Sequence, residues 1–485
     1  MIAVDSVAAA LVGRIQERRV LAAAMESPES ELIAVYGRRR VGKTFLIRRH
    51  FEDELYFELT GMYGGAFKVQ LHHFADALGK VTGTGVASGA SPANWFEAFA
   101  MLARVMEQLP KRKRKRVVFI DELPWLASQR SGFLPAFEHF WNTWASRRSD
   151  LIVVVCGSAA SWMVQQLLHA RGGLHNRVTR HLRLEPFSLA ETRAFLEARR
   201  VALDDYQILE LYMALGGIPH YLKEVERGES AAECIDRVCF SKTGLLGREL
   251  SHVYTSLFDE AERHELVVRS LAKRRGGLTR KELLAATGMR SGGFTTEVLA
   301  ELEASGFIMR TPQFGRDKKD AVYRVADEHS LFHLYWIEKH RGRSEGAWLR
   351  IRGSPAWRAW SGYSFEGVCL KHANRLRAAL GIGSVSTEES TWRHRSDDTG
   401  DGAQIDLVID RKDRCINLCE MKFCEAELAI DKAYARSLAN KRETFRRLTG
   451  TSKSLFTTLV TTHGLASTRH RDVAVDVSVD MNALF

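Results

Sequence analysis

No stretch of this chain is purely apolar for more than six residues, LIVVVC (151–156) being one such run. A helix that crosses a bilayer needs about 20, so no membrane span is expected. The opening MIAVDSVAAALVGR has no basic start followed by an apolar core. It does not read as a secretory leader, and a cytoplasmic protein is expected. Cysteine is thin and odd in number, seven in 485 residues. Cys415, Cys419 and Cys424 lie closest together, but their spacing matches no zinc pattern, so buried free thiols are expected. Also missing is the apolar depletion of a disordered chain. At 45% hydrophobic and 27% charged residues, the composition is that of a folded protein.

What is there is length, positive charge and punctuation. A chain of 485 residues has room for three or four domains. Its net charge of +11 points to a polyanionic partner, most simply DNA, although a solvated basic surface accounts equally well for the charge alone. The densest basic run is KRKRKR (111–116).

ELIAVYGRRRVGKTFLIRRHF (31–51) is a short apolar run, a loop and an amphipathic helix. The loop has the spacing G-x-x-x-x-G-K-[ST] in Gly37, Gly42, Lys43 and Thr44. Its glycines let successive N–H groups wrap a phosphate. Lys43 supplies charge to the β- and γ-phosphates of ATP, and Thr44 a hydroxyl to Mg2+. RVVFIDELPWLA (116–127) adds a buried strand ending in acid. Asp121 is suited to hold Mg2+ and Glu122 to orient the attacking water. A third apolar strand, LIVVVCGSAASW (151–162), ends at Ser158. Continuous apolar runs of this kind are parallel strands buried on both faces. Ser158 is then set to sense the γ-phosphate, unless Gly157-Ser158 is a simple turn. Because ATP binds at the carboxyl ends of parallel strands, KRKRKR falls at the opposite end of the sheet, as a solvated loop or a phosphate-backbone contact.

VGRIQER (12–18), GRRRVGKT, FIDELPWLA, CGSAASWM, LHNRVTRHLRLEPFSLAE (174–191) and GGIPHYL (216–222) occur in an order that resembles the prokaryotic archaeal-ATPase family. That family is an AAA+-related branch of P-loop ATPases close to the STAND switches, and the resemblance covers roughly residues 10–330. It implies that an arginine from a neighbouring copy completes the ATP site. Arg177 is the candidate, with Arg180 beside it, and either can instead be a salt-bridged surface residue. It also implies that GGIPHYL is a lid segment near the adenine, with Pro219 at its turn.

Residues 186–255 read as a helical lid. ERHELVVRSLA (262–272), LTRKELLAATG (278–288) and SGGFTTEVLAELEASGFI (291–308), followed by FIMR and VYRVAD around a polar turn, give a winged-helix pattern. Arg290, Arg316, Lys318 and Lys319 would meet phosphate if the module binds DNA. Modules of this kind also serve only for packing. His329 and His333, four apart in an aromatic stripe without a third ligand, read as core.

Past Trp348 the chain becomes a helix (361–380), a hairpin (403–423), a helix (428–448) and a strand (453–465). Side chains alternate along a strand, so Glu420 and Lys422 share a face, and a hairpin pairing can bring Asp406 beside Glu420. Two such carboxylates repel unless a divalent cation lies between them. Lys422 can then position or deprotonate water beside a phosphate, and Glu366 on the preceding helix can complete the shell. Glu420-Met421-Lys422 with Asp406 upstream resembles the PD-(D/E)xK nuclease superfamily over residues 350–485. No proline precedes Asp406, a departure from the pattern, and a structural hairpin with a buried ion pair is the alternative.

The expectation is therefore an α/β chain with five parts. These are a P-loop ATPase domain (1–185), a helical lid (186–255), a winged helix (256–327), a helical connector (328–349) and a restriction-endonuclease-like α/β domain (350–485). Glu122, Arg177, Glu366, Asp406, Glu420 and Lys422 would be catalytic. Gly37, Gly42, Lys43, Thr44, Asp121, Ser158 and Pro219 would bind ATP. Thr44, Asp121, Asp406 and Glu420 would hold Mg2+. The expected partner is DNA, with a homo-oligomer left open and no membrane. The rival expectation is an ATPase switch whose C-terminal domain binds DNA or protein without cutting.

Overall fold

The computed structural model describes residues 11–83, 91–128, 130–168, 174, 176–258, 260–340, 346–394 and 402–485. The side chain of Lys318, one of the expected phosphate contacts, lies outside this description. The chain divides into two compact units, Met1–Pro186 and Phe187–Phe485.

The first unit is built on five parallel strands: β1 (Glu31–Tyr36), β2 (Leu55–Thr60), β3 (Arg116–Asp121), β4 (Leu151–Gly157) and β5 (Arg180–Arg183). Their order is β2-β3-β4-β1-β5. Every residue of the three inner strands is buried, which is why they read as unbroken apolar runs. The two edge strands, LYFELT and RHLR, alternate or are polar, and sequence reading passed over them. One side of the sheet is closed by packed rings of Phe74, Trp95, Phe99, Phe133 and Phe137. The decisive feature is that β4 lies between β1 and β3. Their three carboxyl ends, carrying the phosphate loop, Ser158 and the Asp121-Glu122 pair, are thereby side by side. Helix α1 (Lys43–His50) leaves the loop directly.

The second unit opens with helices at Leu189–Ala198 and Asp205–Leu215, each with a side-chain N-cap, Ser188 and Asp204. Next come α2 (Ala261–Ala272), β6 (Leu278–Thr279), α3 (Arg280–Thr287), α4 (Gly293–Ala304), β7 (Ile308–Thr311) and β8 (Val322–Val325). The strands form an antiparallel sheet of order β6-β8-β7 over a core of Val267, Leu271, Leu283, Leu299 and Phe307. His329 and His333 are buried in the stretch that follows, His329 beside Tyr221.

The last part holds α5 (Pro355–Lys371) and a five-stranded mixed sheet, β9 (Thr387–His394), β10 (Ala403–Arg411), β11 (Cys415–Lys422), β12 (Ser454–Thr461) and β13 (Val477–Val479). The order is β13-β12-β11-β10-β9. β9, β10 and β11 are antiparallel neighbours, and β12 returns parallel to β11 after helix α6 (Lys432–Thr449). β9 and β13, the edges, are additions to the expected strands. The turn between β7 and β8 docks on this sheet. Phe314 N donates to Thr391 O at 2.9 Å, Thr391 N donates to Pro312 O at 2.9 Å, and the Phe314 ring lies 5.0 Å from that of Phe445. No helix among the described residues is long and apolar enough to cross a membrane.

Candidate functional site

In the first unit the loop after β1 is shaped by its glycines. Gly37 has φ 143° and Gly42 φ 91°, and a Cβ on Gly37 would collide with the Leu184 carbonyl oxygen. Lys43 curls back over the loop. Its Nζ donates to Gly37 O and Arg38 O at 2.9 Å and to Ser158 Oγ at 3.1 Å. Thr44 Oγ1 donates to Asp121 Oδ2 at 2.6 Å. A hydroxyl and a carboxylate at the end of the phosphate loop are the oxygen donors Mg2+ takes while keeping most of its waters, so these two residues fit that ion. Glu122 adopts a left-handed backbone, φ 48°. Its carboxylate accepts from Ser158 Oγ at 2.6 Å and from Ser158 N at 3.1 Å. Ser158 thus accepts from the lysine and donates to the glutamate.

Arg177 and Arg180 lie at the other end of the sheet. Arg180 begins β5 opposite Ile33 and pairs with Glu31 at 2.9 Å, so it is the salt-bridged residue of the two. Arg177 is exposed just before it. With β1 six residues long at about 3.3 Å each, neither reaches the phosphates of its own copy. KRKRKR is also at that end; its first four residues form an exposed loop, as one of the two expectations has it, while its last two do not. Lys115 and Arg116 are buried, Lys115 donating to Glu29 O and Arg116 to Asp150 at 3.1 Å, while Arg114 pairs with Glu54 and Arg112 donates to Tyr56 Oη at 2.6 Å. Pro219, expected near the adenine, belongs to the second unit, where it opens the short turn Pro219–Leu222.

In the second unit the β10–β11 register pairs Leu407 with Cys419. Asp406 and Glu420 are the next residues of the two strands beyond that pair. Asp406 Oδ2 accepts from Met421 N at 3.0 Å. Glu420 accepts from Lys422 Nζ at 2.9 Å and from Lys441 Nζ, on α6, at 2.6 Å. Glu366 pairs with Arg324, which is buried on β8. Burial and the charges of Glu366 and Glu420 push the Asp406 carboxyl up to about 7. Burial also acts against the Glu420 charge, but Lys422 and Lys441 outweigh it and hold its carboxyl below the ordinary value.

The expected residues therefore meet, with a correction. Glu366 is held by Arg324, and among the described residues no three His, Cys, Asp or Glu side chains are grouped to hold a metal. Asp406 and Glu420 remain as a carboxylate pair. That pair suits Mg2+, which binds through one or two carboxylates, once Lys441 releases Glu420. Three acids, Glu366, Asp406 and Glu420, face three cations, Arg324, Lys422 and Lys441.

Residues 11–225 match the family model described as an ATPase domain predominantly from Archaea. This region is an archaeal-type ATPase domain. Its match runs past Pro186 into the first helices of the second unit. An uncharacterized protein of Methanocaldococcus jannaschii is 22% identical over 434 residues, 89% of this chain and 91% of that protein. Among solved structures, a Walker-type ATPase of Pyrococcus abyssi is 18% identical over 67% of this chain and 96% of its own, with a TM-score of 0.47. The Aeropyrum pernix ORC2 protein, in ADPNP–ADP complexes, is 14% identical over 68% of this chain and 94% of its own, with a TM-score of 0.41.

Three residues of importance carried no role in the sequence reading. Arg14, buried and left-handed at φ 56°, donates to Val41 O in the phosphate loop of the ATPase domain at 3.0 Å. Lys441 and Arg324 reach the C-terminal acids from distant segments. Only the crossover after β11 and the packing of β8 bring them there, so no local spacing announced them.

Proposed function

We propose that this ATPase uses ATP binding and hydrolysis to control the action of its C-terminal module on DNA, and that this module is a Mg2+-dependent nuclease. Lys43 would neutralise the β- and γ-phosphates, Thr44 and Asp121 would hold Mg2+, and Glu122 would orient the attacking water after Ser158 lets go of it. Arg177 would act only on the nucleotide of a second copy. At the C-terminus Asp406 and Glu420 would hold the metal, which supplies charge neutralisation for the phosphodiester. Lys422 would hold or take a proton from the attacking water. The observation that carries the reading is the crowding of Asp406, Glu420 and Lys422 at one end of β10 and β11, a juxtaposition that costs stability and is common at functional sites. The order of α2, β6, α3, α4, β7 and β8 supports a winged helix. Its turn is spent on docking against β9, and α4 carries Glu297, Glu301 and Glu303 with no cation. We therefore read it as a packing module.

Purified protein incubated with plasmid, Mg2+ and ATP should nick or cut it, and Asp406→Ala or Glu420→Ala should abolish this. Cleavage that persists in both variants would remove the nuclease from this site. The balanced charges around Glu366, Asp406 and Glu420 favour a second reading, a module that binds without cutting. It prevails if the wild-type protein cuts no form of DNA or RNA.

A further inference from the structure

Helix α6 carries six cations, Lys432, Arg436, Lys441, Arg442, Arg446 and Arg447, against the single acid Glu443. Two are committed within the fold: Lys441 to Glu420, and Arg442 to Asp476 at 3.1 Å. The side chains of the other four have no hydrogen bond or ion pair among the described residues. At 100° per residue they fall within an arc of about 100°, opposite the face that carries Tyr434, Leu438 and Phe445. Leu438 and Phe445 are buried against the sheet. The outward stripe runs from residue 432 to 447, about 22 Å at 1.5 Å per residue, or roughly six base-pair steps of a duplex.

We propose that this outer face of α6 is a docking surface for the phosphate backbone of nucleic acid. The inference rests on the reading above that the protein acts on DNA, and it names the surface. Charge complementarity selects the partner. Four cations without an internal partner share one face in two pairs, Lys432 with Arg436 and Arg446 with Arg447, with the single acid Glu443 between the pairs; three of the four are arginines, which match phosphate oxygens bidentately. The contrast within the same unit is with α4, the helix a winged module would insert in a groove, where only acids are found. Contacts to phosphate alone carry no sequence information, so binding through α6 is sequence-tolerant.

The test uses the full chain and a labelled duplex of about 20 base pairs, with binding read by anisotropy between about 50 and 200 mM salt. Each phosphate contact contributes about 0.9 to the slope of log affinity against log salt. The quadruple variant Lys432→Gln/Arg436→Gln/Arg446→Gln/Arg447→Gln should lose about 3 to 4 from that slope while melting at the wild-type temperature. Arg436→Gln/Arg447→Gln should lose about half as much, and Arg290→Gln/Arg316→Gln/Lys319→Gln should lose little. A wild-type slope in the quadruple variant overturns the inference and leaves the DNA reading standing. So does a slope that falls only in the middle-module variant. Loss of binding to an acidic peptide with duplex binding untouched would reassign the stripe to a protein partner. If the wild-type protein binds neither duplex nor single strand at low salt, the inference and the DNA reading fall together.

Discussion

Ser158 serves two partners at once, accepting from Lys43 and donating to Glu122. The Glu122 carboxylate is thereby hydrogen-bonded to both the backbone and the side chain of Ser158. A γ-phosphate arriving at Lys43 competes for the same hydroxyl. Ser158→Ala is expected to bind ATP with near wild-type affinity and to hydrolyse it about 100- to 1,000-fold more slowly, as loss of one well-aimed donor does elsewhere. Lys43→Ala is expected to lose at least about 100-fold in turnover in the same phosphate-release assay. Wild-type turnover in Lys43→Ala would remove the site from the chemistry. A buried base elsewhere sets a pH dependence. His372 Nδ1 donates to Val368 O at 2.8 Å, and Nε2 accepts from Leu189 N at 3.1 Å. Burial pushes its imidazole down to about 4. The unfolded chain, titrating near 6.5, binds a proton that the folded chain refuses between these values. Stability from this group is therefore full above about 6.5 and is lost as pH falls towards 4, by about 3 kcal/mol in all. Urea unfolding of wild type and His372→Gln across this window should show a shallower fall in the variant.

Among the elements, the turn between β7 and β8 is the clearest case of a surface feature spent on packing. Phe314 sits half-buried against Phe445 and the β9 edge. Phe314→Ala should destabilise the second unit by about 1–3 kcal/mol in urea unfolding. No loss would mean that the turn stands free. That docking was invisible in the sequence, because TPQFGRDKKDA reads as a polar turn and its partner, TEESTWRH, is a polar edge strand. Legibility followed the same divide throughout. Gly37, Gly42, Lys43 and Thr44 were legible because a phosphate needs those groups at that spacing on one short stretch, and Asp121 and Glu122 because they follow an unbroken apolar run. The inner strands declared themselves because burial on two faces demands apolar residues throughout. Edge strands, buried on one face or less, carry a weak pattern, and β2, β5, β9 and β13 were missed for that reason. Arg14, Arg324 and Lys441 act through tertiary contacts that no local period encodes.

On the scale of the whole chain, the two candidate sites lie in separate compact units. Asp406→Ala is expected to act within its own unit and to leave basal ATP turnover within about twofold of wild type. A large fall in turnover would show that the two share more than a chain. The whole-chain view also bears on KRKRKR. Six consecutive cations resemble an address that carries a protein into a nucleus. An import receptor would need that peptide loose and extended. Here Arg112, Arg114, Lys115 and Arg116 are each tied to Tyr56, Glu54, Glu29 or Asp150, and β3 begins at Arg116. Placed in a eukaryotic cell behind a fluorescent reporter, the folded protein should stay outside the nucleus, while the same six residues on a flexible tail should enter it.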